Sequence, residues 1–199
     1  MKSINILGVR VDDVVMEEAI AHIAAFFGSR GGHMIVTPNP EMCLLAKDDH
    51  DFREILNRAD LAVPDGVGLL LAARFLGTPL RERVAGIDLL LHLAHESAKN
   101  GWRIYLLGGA SGVPERAAQT LRTRYPNILI VGTDNGGEGT GALLRAAAPE
   151  ILFVAFGQVK QEKWIAEHLP HLPSVKVAMG VGGAFDFLSG EAMRAPLFL

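Results

Sequence analysis

The chain has 199 residues, 49% of them apolar and 21% charged, with a net charge of −3 and a pI of about 6.2. Such a chain can bury a sizeable core, which excludes disorder and fibrous rods, and its charge balance gives no general basic field for nucleic acid. The lone cysteine, Cys43, excludes a disulfide framework and any cysteine-rich zinc module.

The N terminus meets Arg10, Asp12 and Asp13 before any apolar run becomes long enough for a signal peptide. No stretch approaches the ~20 apolar residues that span a bilayer. A reducing, cytosolic compartment is the expected setting. Mean hydropathy is +0.25, so either the core is large for its surface or part of the apolar surface is covered by something else. A homo-oligomer is one such possibility.

In chain order, Ile4–Val15 alternates loosely around Gly8 and predicts a short β-ribbon. Met16–Phe27 carries Ile20, Ile23, Ala24 and Phe27 at helical spacing and stops at Gly28. His33–Thr37 is a buried strand halted by Pro38, followed by helices over Pro40–Ala46 and Asp51–Arg58. Leu61–Val63 is a strand stopped by Pro64-Asp65-Gly66. Gly68–Leu76 and Ile87–Lys99 read as helices separated by a polar loop with Arg81 and Arg83. Arg103–Leu107 is a strand, Ser111–Arg124 a helix, Ile128–Val131 a strand and Asp134–Gly141 a glycine-rich loop. Ile151–Phe156 is a strand, Lys160–His168 a helix and Val175–Met179 a last strand running into Gly180–Gly183.

This alternation predicts an α/β fold in one domain over residues 1–199: a Rossmann-like, mainly parallel sheet flanked by helices, with a small N-terminal β-ribbon. Ligands of such sheets bind outside the carboxyl ends of the strands. Thr37-Pro38-Asn39, Pro64-Asp65-Gly66, Gly108-Gly109, Gly157 and Gly180–Gly183 all fall there.

Each of these has two readings. The run Gly108-Gly109-Ala110-Ser111-Gly112 feeds a helix with Pro114 and Glu115 in its first turn, and its N–H groups suit a phosphate. It is neither G-x-G-x-x-G nor a Walker loop, and an ordinary tight turn is the alternative. Asp65 is a candidate general base or the N-cap of the helix after it. Asn39 either meets a ligand or caps the helix at Pro40. Asp49-His50-Asp51 has a metal-binding spelling, yet it opens a helix where acidic caps are expected; His92 and His95 lack the H-E-x-x-H pattern. Cys43, Trp102 and Trp164 read as packing residues. Gln161 or Glu162 could face the crevice, or the run from Lys160 could be a solvated first turn.

The segments TPNPEM (Thr37–Met42), ADLAVPDGVGL (Ala59–Leu69), RVAGIDL (Arg83–Leu89), YLLGGASGVPERA (Tyr105–Ala117), GQVKQEKWI (Gly157–Ile165) and GVGGAFDFLSG with RAP (Gly180–Pro196) occur in order. Together they resemble the WecG/TagA/CpsF glycosyltransferases, glycosyltransferase family 26, from about Ile4 to Pro196. The likeness is strongest to its N-acetylmannosamine-transferring branch. The resemblance implies an inverting, metal-independent transferase of teichoic acid linkage-unit synthesis that needs no cofactor. It would move N-acetylmannosamine from a UDP donor to the 4-hydroxyl of N-acetylglucosamine on undecaprenyl diphosphate; other members use the uronic acid form or another hexose.

Carried over, Asp65 would deprotonate the acceptor and Thr37 would contact the reacting sugar, with Asn39 beside it. Arg83 and Gln161 would complete the pocket. Gly108 and Gly109 would face UDP, and Gly157 and Gly183 would join the substrate-binding set. Two departures stand out: Val159 occupies a place where the family usually has proline, and members continue past Arg194–Pro196 into a helical tail. The resemblance gives that tail the roles of covering the diphosphate and seating the enzyme on the inner face of the membrane. The expectation is a shortened chain that folds and binds UDP but transfers sugar slowly or not at all. Two rival readings are an NAD-type dehydrogenase with Asp134 as ribose ligand, which the glycine spacing opposes, and a non-catalytic UDP-sugar-binding module.

Overall fold

The computed structural model describes residues 1–192, so the Arg194–Pro196 motif lies outside the described residues. Strands β1 (Ser3–Ile6) and β2 (Val9–Asp12) pair antiparallel across Leu7-Gly8. There follow α1 (Met16–Phe26), β3 (His33–Val36), α2 (Pro40–Asp48), α3 (His50–Arg58), β4 (Leu61–Ala62), α4 (Val67–Phe75) and α5 (Gly86–Asn100). The second half contains β5 (Arg103–Gly108), α6 (Val113–Arg124), β6 (Leu129–Asp134), α7 (Thr140–Ala147), β7 (Ile151–Ala155), α8 (Lys160–His168), β8 (Val177–Gly180) and α9 (Ala184–Ser189).

Among the described residues, six strands form one parallel sheet in the order β4-β3-β8-β7-β5-β6. Successive side chains of a strand point to opposite faces, and the core divides accordingly. Ile35, Ile104, Leu106, Ile151, Phe153, Val177 and Met179 pack on one face with α1, α5, α6 and α9. Met34, Val36, Tyr105, Leu107, Leu152, Val154 and Ala178 pack on the other with α2, α3, α4, α7, α8 and the hairpin. Continuous apolar strands are what a sheet covered on both faces requires.

The hairpin guards the sheet edge. Asp12 is buried, and its Oδ2 accepts the Ala62 N–H of edge strand β4 at 2.8 Å; Arg10 donates to the Ala59 carbonyl at 2.5 Å. At the opposite edge, Arg122 donates to the Ile130 carbonyl of β6 at 3.1 Å.

Three sequence expectations change. Asp134–Gly141 is not loop throughout, because β6 runs to Asp134 and α7 begins at Thr140. The helix expected from Ser111 starts at Val113, after Gly112 in the left-handed region at φ 79°. Helix α9 was not foreseen. No helix of the described residues is long and apolar enough to cross a membrane. Helix α4 nevertheless exposes a stripe of Val67, Leu71 and Phe75, the last 91% exposed, with Leu76 after it.

Candidate active site

Neighbouring strands of the sheet diverge at two places. From β5 the chain passes through α6 to β6, whereas from its neighbour β7 it passes through α8 to β8, on the other side. From β3 it runs outward to β4, whereas β8 leads into α9, which packs against α6. Such divergence opens a crevice at the carboxyl ends of the strands.

A cavity of about 210 Å³ occupies the β3–β8 crevice. Thr37 and Asn39 line it from the end of β3, Asp65 from the turn after β4, and Gln158 and Gln161 from the start of α8. Gly182 and Gly183 contribute the turn after β8, and Met42, Ile87, Val181 and Phe187 supply apolar wall.

Local chemistry explains each position. Asn39 is the N-cap of α2: its Oδ1 accepts the Met42 N–H at 2.9 Å, and Pro40 fills the first helical position. The capping role foreseen for Asn39 and its place on the cavity wall therefore coexist. Asp65 does not cap α4, whose N-cap is Gly66 with φ 101°. Instead its N–H donates to the Pro38 carbonyl at 2.9 Å, and its Oδ2 accepts the Gly86 N–H at the start of α5 at 3.0 Å. That helix N-terminus favours a carboxylate. A Cβ on Gly86 would lie 3.3 Å from Thr37 Cγ2 and 3.5 Å from Asp65 Oδ2, so Thr37, Asp65 and Gly86 form one contact cluster. A Cβ on Gly68 would come within 2.7 Å of Pro40, which is why the second residue of α4 is glycine.

The α8 side of the cavity is a buried polar arrangement. Gln161 is 3% exposed and Glu162 1%. Burial pushes the Glu162 carboxyl above its usual range, against hydrogen bonds from Gln161 and Val159 that pull it down. Of the two sequence readings, the crevice holds for Gln161, and the solvated first turn fails for both residues. Gln158, which sequence reasoning missed, donates Nε2 to Glu41 at 2.8 Å. Its Oε1 is buried and makes no hydrogen bond among the described residues, so the cavity is where it can meet a donor.

The glycine turn after β5 is a separate feature and does not line this cavity. Gly108 and Gly109 have φ of 101° and 87°. A Cβ on Gly108 would sit 2.7 Å from the Ala155 carbonyl oxygen, and the Gly109 N–H already donates to that oxygen at 3.0 Å. Close approach of β5 to β7 therefore accounts for Gly108 sterically. Gly157 follows β7 at the same crevice with φ 81° and open space around it. Asn135 closes over the turn by donating to the Gly109 and Ala110 carbonyls at 3.0 and 2.8 Å. Arg83 is half-buried on the loop before α5 and is not among the cavity's lining residues.

Other expectations resolve structurally. Asp49 caps α3 through the Phe52 N–H and pairs with Lys163 at 2.6 Å. His92 and His95 line a different groove, with Arg124 and Tyr125. Cys43 is buried, with its thiol pushed up to about 11. Trp102 stacks on Phe27 and Trp164 on His168. Asp134 accepts from Gly136 N–H and from the Thr140 hydroxyl, so both its oxygens serve its own loop rather than a ribose.

A family model described as "Glycosyl transferase WecG/TagA/CpsF family" matches residues 4–199. Two Staphylococcus aureus proteins, from strains MRSA252 and NCTC 8325 / PS 47, are each 35% identical over 97% of this chain and 78% of their own length. Both are named N-acetylglucosaminyldiphosphoundecaprenol N-acetyl-beta-D-mannosaminyltransferase.

Proposed function

The chain belongs to the WecG/TagA/CpsF glycosyltransferase family, and from that premise we propose that it transfers N-acetylmannosamine from UDP-N-acetylmannosamine to the 4-hydroxyl of a lipid-diphosphate-linked N-acetylglucosamine. The family implies a nucleotide-sugar donor and a lipid-linked acceptor. The observation that carries the finer reading is the convergence of Thr37, Asn39, Asp65 and Gln161, from separate elements, on one cavity at the carboxyl ends of the strands.

In this reading Asp65 takes the proton from the acceptor hydroxyl as that oxygen attacks the anomeric carbon. The new C–O bond forms on the face opposite the breaking bond to UDP, so configuration inverts. A carboxylate anchored by the Gly86 N–H is held in place for that work. Thr37 and the free acceptor oxygen of Gln158 border the hexose. In this reading the departing diphosphate is stabilised by fixed backbone dipoles and Arg83 rather than by a divalent cation; Gly108, Gly109 and Gly157 would let it approach the backbone without a Cβ in the way, since the Gly109 N–H is already given to Ala155. The exposed stripe on α4 begins two residues after Asp65, which suits a mouth that opens toward the membrane holding the acceptor.

The test is calorimetric titration of UDP with magnesium and with EDTA, followed by transfer to a soluble short-chain lipid-diphosphate acceptor. The expected result is UDP binding indifferent to the chelator, and UDP release that requires acceptor. Binding abolished by EDTA would overturn the cation-free reading. UDP bound with no acceptor-dependent release would favour a binding module instead.

A further inference from the structure

Glu162 follows Gln161 in the first turn of α8 and points away from water. Its two carboxyl oxygens are both engaged. Oε2 accepts the Val159 N–H at 2.8 Å, and Oε1 accepts from Gln161 Nε2 at 2.7 Å. Gln161 in turn accepts the Gly182 N–H on its Oε1 at 2.9 Å. A carboxamide has a donor end and an acceptor end of nearly the same shape, and only its partners decide which way round it sits. Here both partners agree: the carboxylate oxygen takes the nitrogen end and the backbone N–H takes the oxygen end. One hydrogen of Nε2 is used by Glu162, and the other remains for the cavity that Gln161 lines.

The sheet is shaped around this pair. A Cβ on Gly180 would lie 2.6 Å from Gln161 Nε2 and 2.7 Å from Glu162 Oε1. Any other residue at the end of β8 would therefore displace both groups. Anchoring the start of α8 needs only the Oε2 contact to Val159; the Oε1 contact to Gln161 is additional, and it reaches the side of the cavity. A buried carboxyl is expensive to keep unless each oxygen is satisfied.

We infer that Glu162 is a positioning residue that fixes the orientation of the Gln161 carboxamide, so that Gln161 presents an N–H rather than a carbonyl to the sugar donor. The inference rests on the transferase reading above and acts entirely through Gln161. Glu162→Gln breaks the arrangement with almost no change of volume. A glutamine there cannot accept from both Val159 and Gln161 without turning its own NH₂ group toward one of these donors.

The experiment compares wild type, Glu162→Gln, Gln161→Ala and the double variant in donor turnover. Glu162→Gln is expected to lower kcat by up to about 100-fold, the scale of a misplaced reacting group, with the Kd for UDP held within about twofold. In the Gln161→Ala background the same change should do nothing further, because its route is already gone. Independent, multiplying losses in the double variant would overturn the inference. So would a kcat that falls only in proportion to the folded fraction. A readout free of turnover separates this from failure of the transferase reading: the Gln161 side-chain amide resonances, assigned by their absence in Gln161→Ala. They should form an ordered pair in wild type and shift or broaden in Glu162→Gln. Resonances unmoved by Glu162→Gln would overturn the positioning role whatever reaction the chain performs.

Discussion

Replacing Asp65 by asparagine separates the chemistry of this carboxylate from its place in the fold. The residue holds the Gly86 N–H on Oδ2 at 3.0 Å, in a half-buried setting. An asparagine can offer its amide oxygen to the same N–H, so the fold should lose about 1 kcal/mol, the scale of a charge at a helix N-terminus. For a domain of this size that is a shift of roughly 2–4 °C in Tm. The proton acceptor, however, is gone. General-base catalysis contributes about 10²- to 10⁴-fold, or roughly 2.7–5.5 kcal/mol of barrier. Asp65→Asn should therefore keep near-native melting and UDP affinity while turnover falls by at least about 100-fold. Asp65→Ala should lose the same turnover and an additional 1–3 kcal/mol or so, because the Gly86 N–H is then left without its acceptor. The assay pairs thermal melting with release of UDP in the presence of acceptor. An asparagine variant that melts normally and retains more than about a tenth of wild-type turnover would refute the assignment of Asp65 as base.

Further expectations concern the frame around the site. Phe52→Ala empties a fully buried position on the inner face of α3 and should cost about 3–5 kcal/mol in urea unfolding. Val159 sits at φ 71°, where a β-branched residue is strained, so the about 1–3 kcal/mol of strain that Val159→Gly relieves should offset the loss of Val159's partial packing on the core and leave stability close to wild type. Val159→Pro should lower it, since proline can neither take that φ nor supply the N–H that Glu162 accepts; equal melting of the two variants would contradict the backbone geometry. The Lys163 ammonium beside Asp49 holds its carboxyl below the usual 3.8. A depressed carboxyl adds stability above its unfolded value and loses it as pH falls through the folded one. Wild type should therefore exceed Asp49→Asn in urea midpoint near neutrality, and the gap should close below about pH 3.8 and shrink in high salt.

The layout of this molecule was legible wherever one periodicity dominated a segment. Apolar runs such as Ile151–Phe156 and Val175–Met179 revealed a sheet covered on both faces, and of the strand-end turns singled out, those at Thr37–Asn39, Asp65 and Gly182–Gly183 line the cavity while Gly108, Gly109 and Gly157 do not. What stayed hidden depends on partners distant in sequence. Asp65 before Gly66-Val67 has the spelling of a helix cap, yet its carboxylate turns to Gly86, and nothing local announces that choice. The run from Lys160 looks solvated because four polar residues stand together; packing of α8 on the sheet, with Gly180 close against both side chains, buries Gln161 and Glu162. Helix α7 was lost because Gly137, Gly139 and Gly141 mask its start and no side chain caps it. Helix α9 spans only Ala184–Ser189, too short for a period to emerge. Gln158 from the turn before α8, Ile87 from α5 and Phe187 from α9 reach the cavity together, and no spacing rule gathers them.

The side chains that close the two ends of the sheet have a consequence for how copies of this chain meet. A bare strand at a sheet border offers its amides and carbonyls as a template on which another chain can lengthen the sheet. Here the β4 border spends an amide on Asp12 and the β6 border a carbonyl on Arg122, both from within the same molecule. Backbone-to-backbone recruitment is thereby discouraged at both borders. Any assembly this chain joins is steered toward contacts made by side chains on its helices, where the amino-acid sequence can choose its partner, and away from the indiscriminate pairing through which sheets grow into fibres.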